Sequence, residues 1–281
     1  MNYEQQEKKA KYQIETQIYP FRQIINYREN TMKFLSAFYI LIYTIFLLMF
    51  VNITHANSLG YNQAEKLITQ HIQASGGSDA LMKMQTISRY GHITFYENNK
   101  IKDKLCYHTD IIYPTKLREQ IKGKEIAYDR GTDGTFFWLW TGSQYELTQD
   151  KNIIDYMRGT AERANRDMIW VKKESKSFDV ISSPPSWAPS NSQCIQGIDR
   201  DKIKCIYCFD TTTGLLNSFG SKNEYRLETD WRQVENIKLP FRLTHYQNGE
   251  IAYEVELDSA DLNKTISSTQ FVKPDSPQLS C

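Results

Sequence analysis

The chain has 281 residues, with 34 basic and 33 acidic side chains and a formal net charge of +1. Six basic and four acidic residues lie among residues 1–56, so the remainder carries 28 basic and 29 acidic residues. This near-neutral balance gives no electrostatic basis for binding nucleic acid or an anionic membrane surface.

The first strong pattern along the chain is the uncharged apolar run Phe34–Val51. Met32 and Lys33 precede this run, and the segment Thr54-His55-Ala56 follows it. A basic residue, an apolar run and small residues at the −3 and −1 positions are typical of a secretory signal peptide. The run is also long enough to span a bilayer of about 30 Å as a helix.

These features predict three segments. Residues 1–31 form an upstream extension or cytoplasmic tail, residues 32–56 a signal peptide, and residues 57–281 an exported, periplasmic domain. If the apolar run is retained, the basic residues before it would leave the domain anchored in the inner membrane and facing the periplasm. Both alternatives export the domain.

The exported part begins with a helical pattern. Ala64, Leu67, Ile68 and Ile72 recur at helical spacing, and Gly76-Gly77 ends the pattern. The hydrophobic period then changes to two, which predicts a meander of short antiparallel strands. These strands run from Thr86 to the Asn98-Asn99 turn, around Leu105–Ile111, and over Lys116–Lys122, Glu125–Asp129 and Phe136–Thr141.

A helix interrupts the strands in the middle of the domain. Within Lys151–Asp167, the apolar residues Ile153, Ile154, Met157 and Ala161 share one helical face. The proline- and serine-rich stretch Ser182–Ser190 predicts a loop. Strands resume at Cys194–Ile198, Ile203–Phe209, Leu215–Ser221, Tyr225–Val234, Arg242–Gln247 and Ile251–Leu257. Asn248-Gly249 predicts a hairpin between the last two.

The predicted fold class is α+β and mostly β. About ten antiparallel strands form a single large sheet, and a sheet of this size tends to curl on itself. We therefore expect an unclosed, or half, β-barrel with the helices as a lid or plug. Its interior is either a packed core or a ligand cavity, and alternation alone does not distinguish the two.

Five cysteines lie after residue 56: Cys106, Cys194, Cys205, Cys208 and Cys281. A Cys194–Cys205 bridge would close a local hairpin, but the sequence leaves the connectivity open. Cys205 and Cys208 form a CxxC motif inside a predicted strand. Residues three apart on a strand point to opposite faces, which favours two separate strand cysteines over a redox or metal pair.

The aromatic strand around Trp138 has two apolar faces. Phe136, Trp138 and Trp140 lie on one face, and Phe137 and Leu139 lie on the other. Such a strand is either a central strand packed on both sides or a strand with one face lining a ligand cavity. In the second interpretation, the apolar wall of the cavity consists of Tyr107, Leu117, Ile121, Phe136, Trp138, Trp140, Tyr253 and Val255.

The sequence contains no HExxH, GxSxG or glycine-rich phosphate motif. His108 and Asp110 share a strand face, but a solvated face explains them adequately. We therefore expect a protein that is not an enzyme and that has no cofactor, metal site or catalytic residue.

The order of several short motifs resembles a known group of proteins. The motifs are Gln73–Leu81, Tyr90-Gly91, Tyr113–Arg118, Asp133-Gly134 before Phe137-Trp138, Phe209–Leu216, Leu239-Pro240-Phe241, Asn263 and Phe271–Pro274. Their succession resembles the periplasmic lipoprotein-carrier superfamily, the LolA- and LolB-like outer-membrane lipoprotein-sorting proteins. The resemblance extends from about Ala64 to Pro274.

This resemblance implies an eleven-strand unclosed barrel with a helical lid, an apolar cavity and no catalysis. It also implies that residues 57–281 carry acyl chains of lipoproteins or lipids between an inner-membrane donor and an outer-membrane receiver. Arg118 corresponds to a basic position that contacts the lid or the polar end of the ligand. The proline- and tryptophan-containing loop 184–189 and the five cysteines depart from the pattern of dedicated carriers.

Three functional hypotheses follow. The first is a monomeric periplasmic carrier of acyl chains. The second is a non-enzymatic envelope sensor or interaction module of the same fold, tethered to the membrane if the apolar run is retained. The third is a thiol or metal enzyme that uses Cys205 and Cys208.

Overall fold

A computed structural model describes residues 63–123, 126–140, 142–174, 178–198 and 204–275 of the chain. The predictions for residues 1–31 and 32–56 lie outside these ranges, as does Cys281. Among the described residues, no helix is long and apolar enough to cross a membrane.

The helices occupy the start and the middle of the described chain. Helix α1 covers residues 63–74, and the short helix α2 covers Ser78–Lys83. Helix α3 covers Lys151–Arg163, and α4 covers Asp167–Glu174. A 3₁₀ helix at Ser268–Phe271 follows the last strand.

Thirteen strands form one antiparallel sheet in the described part of the chain. Their bounds are Thr86–Glu97 (β1), Lys100–Ile112 (β2), Lys116–Lys122 (β3), Ile126–Thr132 (β4), Phe137–Trp140 (β5), Tyr145–Thr148 (β6), Phe178–Ile181 (β7), Ser192–Ile198 (β8), Lys204–Asp210 (β9), Leu216–Gly220 (β10), Glu224–Val234 (β11), Ile237–Gln247 (β12) and Glu250–Leu262 (β13). The spatial order is β6-β5-β4-β3-β2-β1-β13-β12-β11-β10-β9-β8-β7. The edge strands β6 and β7 do not pair, so the sheet is not closed into a barrel.

This architecture confirms the predicted fold class. Two meanders, β1–β6 and β7–β13, meet where β1 pairs with β13 in the middle of the sheet. Helices α3 and α4 lie in the connection between the two edge strands. Thirteen strands, rather than about ten or eleven, are present because β6 and β7 have four residues each, too few to show a clear alternation.

Turn chemistry accounts for the two best-defined hairpins. Asn98 and Asn99 have φ angles of 52° and 57°, and Asn248 and Gly249 have φ angles of 53° and 86°. Two consecutive residues with positive φ are the signature of the two-residue turn whose twist matches that of the flanking strands. The predicted Asn248-Gly249 hairpin is therefore confirmed.

The helix predicted over Lys151–Asp167 is α3, which is shorter than predicted and ends at Arg163, and α4 is a separate helix that starts at Asp167. The Asp150 side chain accepts a hydrogen bond from the Asn152 amide at 2.8 Å and caps the start of α3. The helix ends where Asn165 adopts a positive φ of 58°, and α4 begins two residues later. Ile154, Met157 and Ala161 are buried as predicted, whereas Ile153 is exposed.

The core lies between the helices and one face of the sheet, which we call the inner face. Tyr107 and Leu117 lie on this face, and the opposite face is the outer face. Helix α3 packs against β3, β4 and β5. On the other half of the sheet, α1 is held by a hydrogen bond from the Leu216 amide to the His71 ring and by one from the Lys238 amide to the Ser75 carbonyl at 3.0 Å.

The central pairing of β1 with β13 depends on Gly91. The register of the two strands shifts between Tyr90 and Gly91. A Cβ atom at Gly91 would lie 2.0 Å from the Glu256 carbonyl oxygen and 2.7 Å from the Leu257 Cα. Both atoms belong to the backbone, so no side-chain rotation relieves the contact.

We predict that Gly91→Ala lowers the free energy of unfolding by about 3 kcal/mol or more, because the added methyl group forces β1 and β13 apart. Urea unfolding followed by tryptophan fluorescence measures this loss. Gly197→Ala is the matched control: its added Cβ meets side chains rather than backbone, namely the Phe178 ring on the edge strand β7 at 2.9 Å and the Tyr207 ring at 3.6 Å. An equal or larger loss in the Gly197 variant would contradict the importance that we assign to the β1–β13 contact.

Candidate functional site

The inner face and the helices enclose a cavity of about 410 Å³. Strands β1–β4 and β10–β12 contribute to it, which requires the sheet to curve around the cavity, and α1, α3 and α4 complete its walls. Its apolar lining includes Tyr107, Leu117, Met168, Leu216, Phe219, Trp231, Leu239 and Leu243. Its charged lining consists of Arg89, Glu119, Arg130, Arg163, Asp167, Arg226, Glu228 and Lys238.

Two of the residues proposed from the sequence line this cavity, namely Tyr107 and Leu117. Ile121, Val255 and Tyr253 are also on the inner face, opposite Tyr107, Ile93 and Phe95 respectively, but they lie outside the cavity lining. Ile121 and Val255 are buried in the core, and Tyr253 stacks on the His245 ring at a centroid distance of 4.7 Å.

The tryptophans of β5 lie on the outer face. Trp138 is opposite Gly131, where an added Cβ would lie 2.5 Å from the indole ring. The Trp138 Nε1 atom donates a hydrogen bond of 3.0 Å to the Phe271 carbonyl of the C-terminal 3₁₀ helix. Trp140 packs against Tyr145. The structure therefore places Phe137 and Leu139 on the inner face, and Phe136 lies in the turn before β5, outside the cavity lining.

Arg118 also lies on the outer face, where it forms a buried ion pair with Asp129. Its Nη2 atom is 2.9 Å from Asp129 Oδ2, and its Nε atom is 3.2 Å from Oδ1. Its Nη1 atom donates to the Gln270 carbonyl at 3.2 Å, and the guanidinium lies over the Trp138 ring. Arg118 therefore holds the C-terminal 3₁₀ helix against the sheet, and it is not among the residues that line the cavity.

The charged residues of the cavity form two ion pairs across the inner face. Arg130 contacts Glu119 at 2.9 Å, and Arg226 contacts Glu228 at 2.7 Å. Burial raises the pKa of Glu228 and of Asp167, and Asp167 faces the open volume of the cavity. The sequence analysis missed these residues. A signal was present in β3, where Glu119 has the same parity as Leu117 and Ile121 and therefore lies on their face.

One serine–histidine pair lines the cavity, but its hydrogen bonds do not suit catalysis. The His71 Nδ1 atom accepts a hydrogen bond from the Leu216 amide at 2.9 Å. Burial lowers the pKa of His71 to about 4, so the ring is neutral and carries its proton on Nε2. The Ser75 hydroxyl lies 3.4 Å from that protonated nitrogen. A protonated nitrogen cannot act as the general base that a serine nucleophile needs.

Three of the cysteines, Cys194, Cys205 and Cys208, lie on β8 and β9. Cys194 and Cys208 are opposite each other in these strands and form a disulfide. The alternative bridge between Cys194 and Cys205 is therefore wrong, and the CxxC motif does not act as a unit because Cys208 is bonded elsewhere. In the described ranges, no group of three or more histidine, cysteine, aspartate or glutamate residues is arranged to hold a metal ion.

The corner between α3 and α4 is anchored by Arg166. Its Nε atom donates to the Leu81 carbonyl at 2.8 Å, and its Nη2 atom donates to the Met84 carbonyl. The guanidinium lies 3.8 Å from the centroid of the Tyr113 ring, and the Tyr113 hydroxyl donates to the Ala164 carbonyl at 2.6 Å. These contacts fix one end of the helical wall above the cavity.

Comparisons with known proteins found structural similarity only. No family model and no curated protein matches the sequence. A LolA superfamily protein from Nitrosomonas europaea is similar at a TM-score of 0.49 and 11% identity, over 75% of this chain and 97% of that chain. A DUF1329 family protein from Desulfovibrio piger is similar at a TM-score of 0.49 and 8% identity, over 74% and 96%.

An uncharacterised conserved protein from Thermus thermophilus is similar at a TM-score of 0.34 and 7% identity, over 77% of this chain and 97% of that chain. One of the three structures belongs to the superfamily that the motif order resembles. The TM-scores of these three structures are all below 0.5.

We predict that Arg166→Ala loosens the helical wall. The Leu81 and Met84 carbonyls lose a charged donor, which costs about 2 kcal/mol or more. Relative to the wild type, the variant should lose more hydrogen-exchange protection in α3 and α4 than in β1 and β13. Arg158→Ala is the control, since Arg158 is on α3 but exposed and, among the described residues, forms its ion pair with Asp155. Equal protection in the two variants would contradict the anchoring role of Arg166.

We predict that His71 makes stability depend on pH. Its folded-state pKa of about 4 lies below its ordinary value of 6.5, so between these values the unfolded state binds a proton and the folded state does not. The His71 contribution is complete above pH 6.5 and is lost as the pH falls towards 4, by about 3 kcal/mol in total.

The measurement compares urea unfolding of the wild type and of His71→Asn at several pH values. The Asn amide oxygen can still accept the Leu216 hydrogen bond. As the pH falls through this window, the free energy of unfolding of the wild type should decrease relative to that of the variant. His92→Asn, an exposed histidine on β1, is the control. A pH-independent difference for His71→Asn would show that His71 is not buried in the neutral form.

Proposed function

We propose that the chain is a non-enzymatic binding protein that carries the acyl chains of a lipid or lipoprotein in the cavity under α3 and α4. The observation that supports this proposal most directly is the cavity itself. Its volume of about 410 Å³ lies within the usual range of small-molecule sites, about 300–1,000 Å³. The rest of the inner face is packed with buried side chains such as Ile93, Ile111 and Val255.

The apolar part of the lining is suited to a hydrocarbon chain. Leu117 and Leu243 on the sheet and Met168 on α4 belong to it, together with the Phe219 ring. Transfer of each methylene group from water to such a surface is worth about 0.8 kcal/mol. A single chain of ordinary length therefore provides enough free energy for binding without any covalent step.

The helical wall provides a route for uptake and release. Helices α3 and α4 connect the two edge strands β6 and β7, which do not pair with each other. Movement of α3 away from β3–β5 would open the cavity without breaking any pairing in the sheet. The Arg166 corner would serve as the fixed end of this movement.

Export of the domain is part of the proposal. The Cys194–Cys208 disulfide supports an oxidising compartment, where such bonds persist. The run Phe34–Val51 supports export, either as a cleaved signal peptide or as an anchor. The cargo would then pass from a donor at the inner membrane to a receiver at the outer membrane.

We predict that the protein, as the cell processes it, is recovered with bound lipid. Native mass spectrometry reports the lipid mass, and uptake of a fluorescent acyl probe by the delipidated protein measures binding. Leu243→Trp places a larger side chain in the cavity and should weaken probe uptake about tenfold or more while the fold is retained.

Leu147→Trp is the matched control, because Leu147 is exposed on the edge strand β6. It should bind the probe as the wild type does. Protein without lipid that also takes up no probe would overturn the proposal and favour a sensor or interaction module. Equal uptake by Leu243→Trp and the wild type would move the binding site away from this cavity.

A further inference from the structure

The floor of the cavity contains two arginine side chains with unused hydrogen-bonding capacity. The Nε atoms of Arg89 and Arg226 are buried and have no hydrogen-bond partner among the described residues. Arg226 contacts Glu228 through Nη2, which leaves its Nε atom to point elsewhere. Arg89 forms no ion pair with any carboxylate in the part of the chain that the structure describes. Both residues line the cavity.

The charge balance of the cavity is positive. Its lining contains five cationic side chains and three carboxylates. Glu119 is paired with Arg130, and Glu228 is paired with Arg226. The third carboxylate, Asp167, makes no ion pair among the described residues. Burial raises the Asp167 pKa, whereas the nearby Arg226, Arg163 and Arg89 act in the opposite direction.

A buried hydrogen-bond donor without a partner is costly in a partly enclosed site. Buried polar groups in folded proteins are almost always paired with protein, water or a ligand. Arg89 belongs to β1 at the centre of the sheet, opposite Thr109 on β2 and Ala260 on β13. Neither of these neighbours carries a charge. Glu228 and Asp167 interact electrostatically with Arg89 from within the cavity, but its Nε donor has no hydrogen-bond partner among the described residues.

We propose that Arg89, together with the Nε atom of Arg226, forms an oxyanion subsite on the cavity floor, and that the ligand is an anionic amphiphile with a carboxylate or phosphate on an apolar chain. This inference rests on the proposed function, since it specifies which class of acyl ligand the same cavity takes. A guanidinium suits this task because it keeps its charge and offers donors in a planar fork that matches an oxyanion. The apolar lining of the cavity, which includes Leu117 and Leu243, would hold the chain.

The first measurement uses the wild-type protein alone. A saturated fatty acid, the alcohol of the same chain length and the corresponding alkyl phosphate are compared as competitors of a fluorescent acyl probe, above the pH at which the carboxyl group ionises. A hydrogen bond to a charged group contributes about 1.5–3 kcal/mol, so both anions should bind about tenfold or more tightly than the alcohol. Inorganic phosphate alone should compete weakly, because it lacks the chain.

The second measurement assigns the preference to Arg89. Arg89→Gln should reduce the ratio of acid to alcohol affinity to near one and leave alcohol binding almost unchanged. Arg89→Lys, which keeps the charge, should retain part of the preference. Arg242→Gln is the matched control: it removes one positive charge from an exposed arginine of β12 that pairs with Glu256 outside the cavity. It should bind all three competitors as the wild type does.

The outcomes separate this inference from the proposed function. Equal binding of acid, phosphate and alcohol by the wild type would leave the carrier proposal intact and overturn the oxyanion subsite, with water then compensating Arg89. No binding of any competitor would overturn the carrier proposal itself. An unchanged preference in Arg89→Gln would move the anion to another part of the cavity. If this variant does not fold, the wild-type comparison and Arg89→Lys still decide.

Discussion

The pairing of β1 with β13 is the constraint on which the rest of the structure depends. These strands are the first and the last of the sheet in sequence, yet they lie side by side in its middle. The pairing joins two meanders into one continuous surface and leaves β6 and β7 as the edges. It requires Gly91, because any Cβ there meets the β13 backbone. Without this contact the two halves would share no ladder, and their inner faces would not curve around a common cavity.

The cavity combines an apolar lining with charged side chains, and these two features conflict in a packed core. Leucine and aromatic side chains line it, yet arginines and carboxylates of the sheet share the same volume. Filling the space with apolar side chains would avoid the desolvation of these charges. A chain selected only for stability would do this, whereas a binding site has to keep both the space and the donors. The outer face shows the contrasting solution, since Arg118 and Asp129 are buried there as an ion pair, and Gln120 and Tyr145 donate hydrogen bonds to the Asp129 carboxylate.

Much of the fold follows from local patterns, and the site follows from them only in part. Alternation in β3 and β13 and the turn residues Asn98 and Asn248 are local signals, so the strands and hairpins could be predicted. Tyr107 and Leu117 were found for the same reason. The position of Trp138 could not be found this way, because both faces of its strand are apolar. The Gln270–Phe271 segment, more than a hundred residues away, covers the tryptophan side and leaves Phe137 facing inwards.

The sequence by itself determined the antiparallel, mostly β class, the amphipathic helices and the separation of Cys205 from Cys208, because each depends on the period of side chains along one element. Only the tertiary structure decided which face of the sheet is inner, which cysteine pairs with Cys194, and that Arg89 and Arg226 meet in one cavity. A period of two defines two faces of a strand but does not say which face another segment covers. That choice depends on free energies of contact between segments far apart in the chain.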